Sequence, residues 1–352
     1  MIRVKVIGAG GYGGVGITEL LTGHPKAKLA VLVDVENVGM PLSKVYPHLT
    51  GFCDMVILDP ADPKAVEPYD VVFMATPDGA GMKFAPAEIQ KGARVVDYSG
   101  DFRFNTAEAY AEYARRIGRD PVHKSPDLLP KAVYGLAELH RRELTAATQV
   151  VGNPGCFAVS CILGLSPAVK AGLVKPDSLI CNCVTGVSGG GKKPSPTFHY
   201  PARYDHMNAY KLAGHQHVCE IERELGLQAG RELKVTFTAH VAPVCRGIMS
   251  TLYGNLTKSM TEADALAVYR DFYARDTFVR VFESAAPVGS PHVRGTNYCN
   301  LVVSVDERTS RLRIVSYIDN LVKGQAGSAM QNMNLICGLP ENMGFDKPGM
   351  YP

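Results

Sequence analysis

Residues 2–14, IRVKVIGAGGYGG, decide the first half of the fold. IRVKVI alternates apolar and polar side chains as a strand does, and a glycine-rich turn follows it at once. The stretch 15–23 predicts a helix closed by Gly23, and KLAVLVD at 28–34 predicts a second strand. Because only a crossover helix returns the chain to the same sheet edge, this pattern predicts two parallel strands.

Two further apolar segments, DVVFMATP at 70–77 and RVVDYS at 94–99, extend this pattern and predict an α/β domain with a Rossmann-type doubly wound parallel sheet. Beyond residue 150 longer alternating strands predict an α+β domain with a largely antiparallel or mixed sheet. The predicted strands there are 178–187, 233–243, 247–255, 299–305 and 311–318, and the predicted helices are 157–171, 215–226, 261–274 and 321–335. We therefore expect a dinucleotide-binding domain over 1–152, completed by a C-terminal helical segment at 321–352. A catalytic and oligomerisation domain over 153–320 should make up the rest.

The composition excludes several classes of protein. The 352 residues are 46% hydrophobic and 20% charged with a net charge of +3, which argues against disorder and against a nucleic-acid partner. Nine cysteines without a CxxC pair or zinc-type spacing predict reduced thiols, no metal site and a cytoplasmic location. Met1 leads directly into the first predicted strand, and no apolar run reaches 18 residues, so we expect neither a leader nor a membrane span.

The turn at residues 8–13, GAGGYG, fits the GxGxxG fingerprint in the context that it requires, after a strand and before a helix. Its glycines let the backbone approach a pyrophosphate, and the helix start offers free amides to the anion. The residues predicted to contact a dinucleotide here are Gly8, Gly10, Gly11, Tyr12 and Gly13. Asp34, at the end of the second predicted strand, is placed to accept from a ribose 2′-hydroxyl, unless it only caps a loop.

A cysteine at a predicted helix start is the candidate nucleophile. Cys156 follows the turn Gly152–Gly155, where the helix dipole favours a thiolate, although simple packing is the alternative. The segment GHQHVCEIE predicts a helix opened by His215 and His217, whose spacing points them to different faces and disfavours a shared metal. One of these histidines would serve as general base or acid, and the residues alone leave open which one.

Eight motifs in order carry a resemblance over nearly the whole chain: GAGGYGG, VVDYSGDFRF, YGLAEL, VGNPGCF, SGGGKKPS, AYKLAGHQH, PVCRGI and DNLVKGQAGSAMQNMNL. The chain resembles the N-acetyl-gamma-glutamyl-phosphate reductases of the semialdehyde dehydrogenase superfamily. The resemblance implies Cys156 as nucleophile and His215 as catalytic base. It also implies a small-molecule acyl phosphate substrate, NADP(H) as cofactor, a role in arginine biosynthesis and a homodimer or homotetramer.

The departing phosphate needs cationic and backbone donors. The candidates are Arg103, Ser188, Gly189, Lys192 and Arg246. Solvated loop positions for Lys192 and Lys193, and a structural pair of Arg103 with Asp101, are the alternatives. Similarity to the superfamily implies that Asn320 lies near the nicotinamide, with helix capping as its alternative role.

Two residues depart from the family pattern. Asp34 and Val35 stand where a Ser-Arg pair commonly receives a 2′-phosphate, so NAD(H) becomes an alternative cofactor. Cys219 replaces a proline without removing a catalytic group. The rival activities on this fold are aspartate-semialdehyde dehydrogenase and the aminoadipyl-phosphate reductase of lysine biosynthesis. A cofactor-independent Cys-His hydrolase and a nucleotide-sensing protein are the alternatives of other classes.

Overall fold

The computed structural model describes residues 1–345 and 347–351. The strands are β1 (Ile2–Ile7), β2 (Ala27–Val33), β3 (Ile57–Leu58), β4 (Val71–Met74), β5 (Arg94–Asp97), β6 (Ala132–Tyr134), β7 (Val150–Gly152), β8 (Ile180–Thr185), β9 (Asn208–Tyr210), β10 (Thr236–Val241), β11 (Ile248–Asn255), β12 (Val279–Phe282), β13 (Cys299–Asp306) and β14 (Arg311–Ile318). The α-helices are α1 (Tyr12–Thr22), α2 (Leu42–Val45), α3 (Gly81–Gln90), α4 (Ala107–Arg116), α5 (Ala137–His140), α6 (Cys156–Lys170), α7 (Tyr200–Arg203), α8 (His217–Ala229), α9 (Glu262–Phe272) and α10 (Gly327–Ile336).

The chain divides into two compact units, residues 1–154 with 325–345 and residues 155–324 with 347–351. The first unit holds a seven-stranded sheet in the order β3-β2-β1-β4-β5-β7-β6, and every pairing in it is parallel. This is the predicted Rossmann-type doubly wound sheet. In such a sheet the carboxyl ends of the strands share one edge, where ligands bind.

The core of the first unit explains why its strands are so apolar. Side chains from the central strands and from α1 and α10 are almost fully buried in one cluster, including Val4, Phe73, Ile17, Met330 and Met333. Since helices cover a parallel sheet, its strands bury both faces and lack a clear alternation. The predicted closing segment 321–352 contributes α10 to this cluster, and its residues 346 and 352 lie outside the described residues.

The second unit holds a mixed seven-stranded sheet in the order β12-β13-β14-β11-β8-β10-β9. Its β8–β10 and β12–β13 pairs are parallel and the others are antiparallel, which confirms the prediction of a mixed sheet. Helix α6 is the centre of this unit, because every residue from Phe157 to Val169 is buried. The Ser160 hydroxyl lies 2.8 Å from that of Ser250 and 3.0 Å from that of Ser316, which ties α6 to β11 and β14.

Three local predictions need correction. Helix α8 begins at His217, not at His215, so His215 precedes the helix. The predicted closing helix 321–335 starts as a π-helical turn, Val322–Ala326, and becomes α10 only at Gly327. Strands β9 and β12 were not predicted, because three or four residues are too few to show a periodic pattern. No helix among the described residues is both long and apolar enough to span a membrane.

Candidate active site

The glycine-rich turn between β1 and α1 is packed too tightly for side chains at two positions. Gly8 has φ +83, and a Cβ there would lie 2.3 Å from the carbonyl oxygen of Ala75. A Cβ at Gly14 would lie 2.2 Å from the carbonyl oxygen of Gly8, because α1 lies close to the turn there. Helix α1 begins at Tyr12, and its N-cap residue Gly11 has no side chain to cap the helix. This cradle fits the pyrophosphate of a dinucleotide.

Asp34 folds back onto the same turn. Its carboxylate accepts from the N–H groups of Gly10 at 2.7 Å, Val35 at 2.7 Å and Glu36 at 3.1 Å. The Tyr46 hydroxyl donates to the Gly10 carbonyl at 2.8 Å, and burial raises the pKa of Tyr46 to about 12. The structure therefore brings Gly10 and Asp34 together, and fixes the carboxylate where a ribose hydroxyl would be recognised.

The first unit also contains a pair of buried carboxyl groups, Asp97 at the end of β5 and Asp101 after it. Asp97 is fully buried, and its Oδ2 accepts from the Ser99 hydroxyl at 2.5 Å. Burial, followed by the charge of Asp101, raises the pKa of Asp97 to about 8, so this carboxyl is mostly protonated at neutral pH. Asp101 accepts from the N–H groups of Gly79, just before α3, and of Met82 in its first turn, although burial raises the pKa of Asp101 as well.

Cys156 opens α6 in the second unit and is partly exposed. The N–H of the residue before it, Gly155, donates to Glu220 Oε2 at 3.0 Å, and Glu220 is completely buried. A Cβ at Gly155 would lie 2.3 Å from His217 Nε2, and one at Gly324 would lie 2.7 Å from the Cys156 Cβ. The backbone at the nucleophile candidate is thus confined on two sides by groups that leave no room for a side chain.

His215 lies in an aromatic cluster that includes Phe157, the residue after Cys156. Its ring centroid is 5.6 Å from that of Phe157 and 5.9 Å from that of Tyr210. Burial raises the pKa of Tyr210 above its ordinary value, and the charge of Cys156 adds to this effect. The rings of His215 and His217 are only 4.7 Å apart, so the prediction that they point to different faces of one helix is wrong.

The protonation of His215 follows from its surroundings. The ring is buried, and its Nδ1 accepts the His217 N–H at 3.2 Å. Burial, followed by the charges of His217 and Lys211, lowers its pKa from 6.5 to about 2. The ring is therefore neutral at physiological pH and carries its proton on Nε2, which makes this nitrogen a hydrogen-bond donor.

A second group of predicted site residues converges at the turn Val187–Gly190. Ser188 donates its N–H to the Cys245 carbonyl at 3.1 Å, and its hydroxyl accepts from Asn320 Nδ2 at 3.0 Å. Asn320 Oδ1 accepts the Gly247 N–H at 2.8 Å, directly after Arg246. The structure thus brings Ser188, Gly189, Arg246 and Asn320 together within the second unit.

The other predicted anion ligands are placed differently. Lys192 and Lys193 lie on the exposed loop that follows this turn. Arg103 is buried in the first unit, where its guanidinium donates to the carbonyl oxygens of Asn153 at 2.8 Å and Tyr98 at 2.7 Å. Among the described residues no three His, Cys, Asp or Glu side chains are grouped so as to hold a metal ion.

Sequence reasoning left four residues of this region out of the predicted site: Tyr210, Glu220, Asp319 and Gly324. Asp319 is completely buried and binds Arg246, and it accepts from the N–H groups of Leu321 and Val322. The capping role weighed for Asn320 thus belongs to its neighbour. The available signal was the acidic and amide pair Asp319-Asn320 immediately after a predicted strand, a position where polar residues gather in binding sites.

Comparisons with known proteins agree with this architecture. A family model described as semialdehyde dehydrogenase, NAD binding domain, matches residues 3–147, and one described as semialdehyde dehydrogenase, dimerisation domain, matches residues 156–320. The solved structure of aspartate semialdehyde dehydrogenase II from Vibrio cholerae is similar, with a TM-score of 0.71 and 14% identity over 96% of this chain and 99% of that chain. Aspartate semialdehyde dehydrogenase with NADP from Candida albicans has a TM-score of 0.67 and 15% identity over 97% and 99%. The chain belongs to the semialdehyde dehydrogenase family.

Individual relatives identify the group within this family to which the chain belongs. The N-acetyl-gamma-glutamyl-phosphate reductase of Citrifermentans bemidjiense is 41% identical over 354 residues, covering 100% of both chains. That of Syntrophobacter fumaroxidans is 42% identical over 352 residues, again covering 100% of both. Within the semialdehyde dehydrogenases the chain is thus a member of the N-acetyl-gamma-glutamyl-phosphate reductases, which confirms the resemblance drawn from its motifs.

Proposed function

We propose that the protein reduces N-acetyl-L-glutamyl 5-phosphate to N-acetyl-L-glutamate 5-semialdehyde with release of phosphate, a step of arginine biosynthesis. Cys156 is the nucleophile, and His215 is the hydrogen-bond donor to the oxyanion. The observation that carries this proposal is a partly exposed cysteine at the start of a buried helix, together with a buried neutral histidine whose ring packs on the next residue of that helix. The named relatives supply the substrate.

Cys156 begins the reaction as a thiolate, which the amino end of α6 stabilises. Its Sγ attacks the carbonyl carbon of the acyl phosphate, and the carbonyl oxygen becomes an oxyanion. The C–O bond to phosphate then breaks, phosphate leaves with the electron pair of that bond, and a thioester remains on Cys156. A nicotinamide dinucleotide, which the glycine-rich turn 8–13 and Asp34 would hold, would supply the hydride needed to reduce this thioester to a thiohemiacetal.

His215 stabilises the oxyanion in both halves of the reaction. Because its Nδ1 accepts the His217 N–H, its Nε2–H is available to donate to the developing negative charge. Collapse of the thiohemiacetal breaks the C–S bond, returns the electron pair to Cys156 and frees the aldehyde. The role of base that the resemblance implies requires the other tautomer, in which the bond from the His217 N–H is lost.

We further propose that Asp34 makes NAD(H) the better cofactor, in place of the NADP(H) that the resemblance implies. Its carboxylate is held at the turn by three N–H groups, so it cannot swing away from a 2′-phosphate without losing them. Val35 offers no positive charge to offset the repulsion. The ribose 2′-hydroxyl of NAD would instead donate to this carboxylate.

The second unit matches a dimerisation domain, which supports assembly of the chain into an oligomer. We propose a homodimer or homotetramer built on the β12-to-β9 sheet. Side chains on one face of this sheet, such as Asn182, Met249 and Arg313, are exposed, while the other face packs on α6. Sedimentation velocity should give a mass of two or four chains, and a monomer at micromolar concentration would contradict the proposal.

The function is tested in the reverse direction by the appearance of reduced nicotinamide from N-acetylglutamate semialdehyde and phosphate. NAD and NADP are supplied in parallel to wild type, Cys156→Ser and the control Cys337→Ser, which lies at the end of α10. We expect phosphate-dependent turnover, better with NAD, that is lost only in Cys156→Ser. If the protein turned over aspartate semialdehyde but not N-acetylglutamate semialdehyde, the proposed substrate would be wrong. Full activity of Cys156→Ser would make the proposed mechanism wrong.

A further inference from the structure

Asp319 occupies an unusual position in the second unit, because one buried carboxylate serves two separate features. Its side chain is completely buried, while that of its partner Arg246 is 31% exposed. Asp319 Oδ1 lies 3.4 Å from Arg246 Nε and 3.2 Å from Nη2, and Oδ2 lies 3.1 Å from Nη2. The carboxylate thus holds one edge of the guanidinium.

The other edge of the guanidinium remains available. Among the described residues no protein acceptor lies within hydrogen-bond distance of Arg246 Nη1. The backbone beside Arg246 is fixed as well, since the Gly247 N–H donates to Asn320 Oδ1 at 2.8 Å. Two consecutive residues, Asp319 and Asn320, therefore hold the side chain of Arg246 and the backbone that follows it. A guanidinium held in this way presents a preorganised donor to an anion.

Asp319 also shapes the backbone that lies against the nucleophile. Its Oδ1 accepts from the N–H groups of Leu321 and Val322, and its own carbonyl accepts the Gly324 N–H at 2.9 Å. This last bond spans five residues, as in a π-helix, and leads into the π-helical turn Val322–Ala326, a feature that is frequent at functional sites. It places Gly324 where even a methyl group would collide with Cys156.

We propose that Asp319 is a positioning residue that couples an anion-binding arginine to the nucleophile, an inference that rests on the proposed function. It orients Arg246 so that Nη1 binds an oxyanion group of the substrate, either the phosphate or the carboxylate. Through the turn 319–324 it fixes the Gly324 backbone against Cys156. The Gly295 N–H, which donates to Asp319 Oδ2 at 2.7 Å, completes the set of donors around this carboxylate.

The test compares Arg246→Lys, Asp319→Asn and the double variant with wild type in the reverse reaction. The KM for inorganic phosphate and the KM for the aldehyde are measured separately, and the rate of Cys156 alkylation by neutral iodoacetamide is followed. A matched control is Asp306→Asn, which removes a partly exposed carboxylate from its pair with the exposed Arg308 in the same unit.

The substitution Arg246→Lys keeps the positive charge, but an ammonium group lacks the planar guanidinium with which Arg246 can bind Asp319 and an anion at the same time. We expect Arg246→Lys to raise one of the two KM values on the order of 10-fold, with kcat and alkylation close to wild type. A higher KM for phosphate identifies the phosphate as the bound group, and a higher KM for the aldehyde identifies the carboxylate.

Asp319→Asn should raise the same KM and also change kcat and the alkylation rate, because it loosens the turn against Cys156. The double variant should have the KM of Asp319→Asn, since the arginine is already misplaced in that variant. If Asp319 had a merely structural role, its replacement would lower the number of active sites and leave both KM values unchanged.

The two proposals fail in different ways. If wild type does not turn over, the proposed function is wrong. If wild type is active but both KM values of Arg246→Lys stay within about twofold of it, the assignment of Asp319 and Arg246 is wrong. That second result decides the matter even if Asp319→Asn does not fold.

Discussion

Replacement of Gly324 by alanine tests most directly how precisely the protein holds its nucleophile. The added Cβ would lie 2.7 Å from the Cys156 Cβ and 3.2 Å from the Cys156 Cα. Carbon atoms in favourable contact are about 3.5–4.0 Å apart, so one of the two backbones must move by roughly 1 Å. Neither contact involves the flexible end of a long side chain that could give way.

A displacement of about 1 Å at the reacting atom is expected to lower kcat on the order of 100-fold. The accompanying overpacking should cost about 1–3 kcal/mol of the free energy of unfolding. The assay is phosphate-dependent reduction of the nicotinamide cofactor, with iodoacetamide alkylation of Cys156 to count the accessible thiols and urea unfolding to measure stability.

Gly289→Ala is the matched control in the same unit. Its Cβ would meet Pro291 and His292 at 3.6 Å and 3.9 Å, which are ordinary contacts, and its φ of −155 suits any residue. This variant should keep wild-type activity. If Gly324→Ala retains kcat within about threefold of wild type and alkylates at the same rate, Gly324 does not confine Cys156 and the reasoning fails.

Three further variants test other parts of the structure. The unfolded chain protonates His215 below pH 6.5 whereas the folded ring stays neutral to about pH 2, so stability falls as pH drops. Between pH 7 and pH 5 wild type should therefore lose about 2 kcal/mol more than His215→Gln in urea unfolding; equal losses would refute the neutral ring. The pH dependence of stability that Asp97 causes has the opposite sign, because the pKa of Asp97 in the folded chain, about 8, exceeds its ordinary value of 3.8. Raising the pH from 5 to 7 should destabilise wild type on the order of 2 kcal/mol relative to Asp97→Asn, and parallel unfolding curves would count against a protonated Asp97. Gly8→Ala should abolish dinucleotide binding measured by calorimetry, since its Cβ has no room beside Ala75; wild-type affinity would contradict the packing of the turn.

Much of the fold could be predicted because its signals are local. The β1 strand and its glycine-rich turn show the parallel sheet within about 30 residues, which is the length of one βαβ unit. The alternating strands after residue 150 show the mixed sheet in the same way, since each long strand carries its own pattern. Short strands such as β9 and β12 carry no such pattern and owe their conformation to their neighbours in the sheet.

The candidate site was only partly predictable from the sequence. Cys156 is marked by the turn before its helix, but the partners of that turn come from distant segments. Asp319 and Arg246 are 73 residues apart, and Glu220 is 65 residues from Gly155, so neither contact has a spacing to detect. The prediction that His215 opens the helix was wrong for a local reason. The helical pattern of GHQHVCEIE gives no sign that the helix begins two residues later, at His217.

The burial of α6 on every side has a consequence for how this protein loses activity. A helix with one solvent-exposed face can fray or tilt by itself, at a free energy far below that of global unfolding. No part of α6 from Phe157 to Val169 can do so without opening the core of the second unit. Hydrogen exchange at its amides should therefore require the whole unit to open. Inactivation by denaturant would then follow the same curve as unfolding, with no inactive but otherwise native form in between.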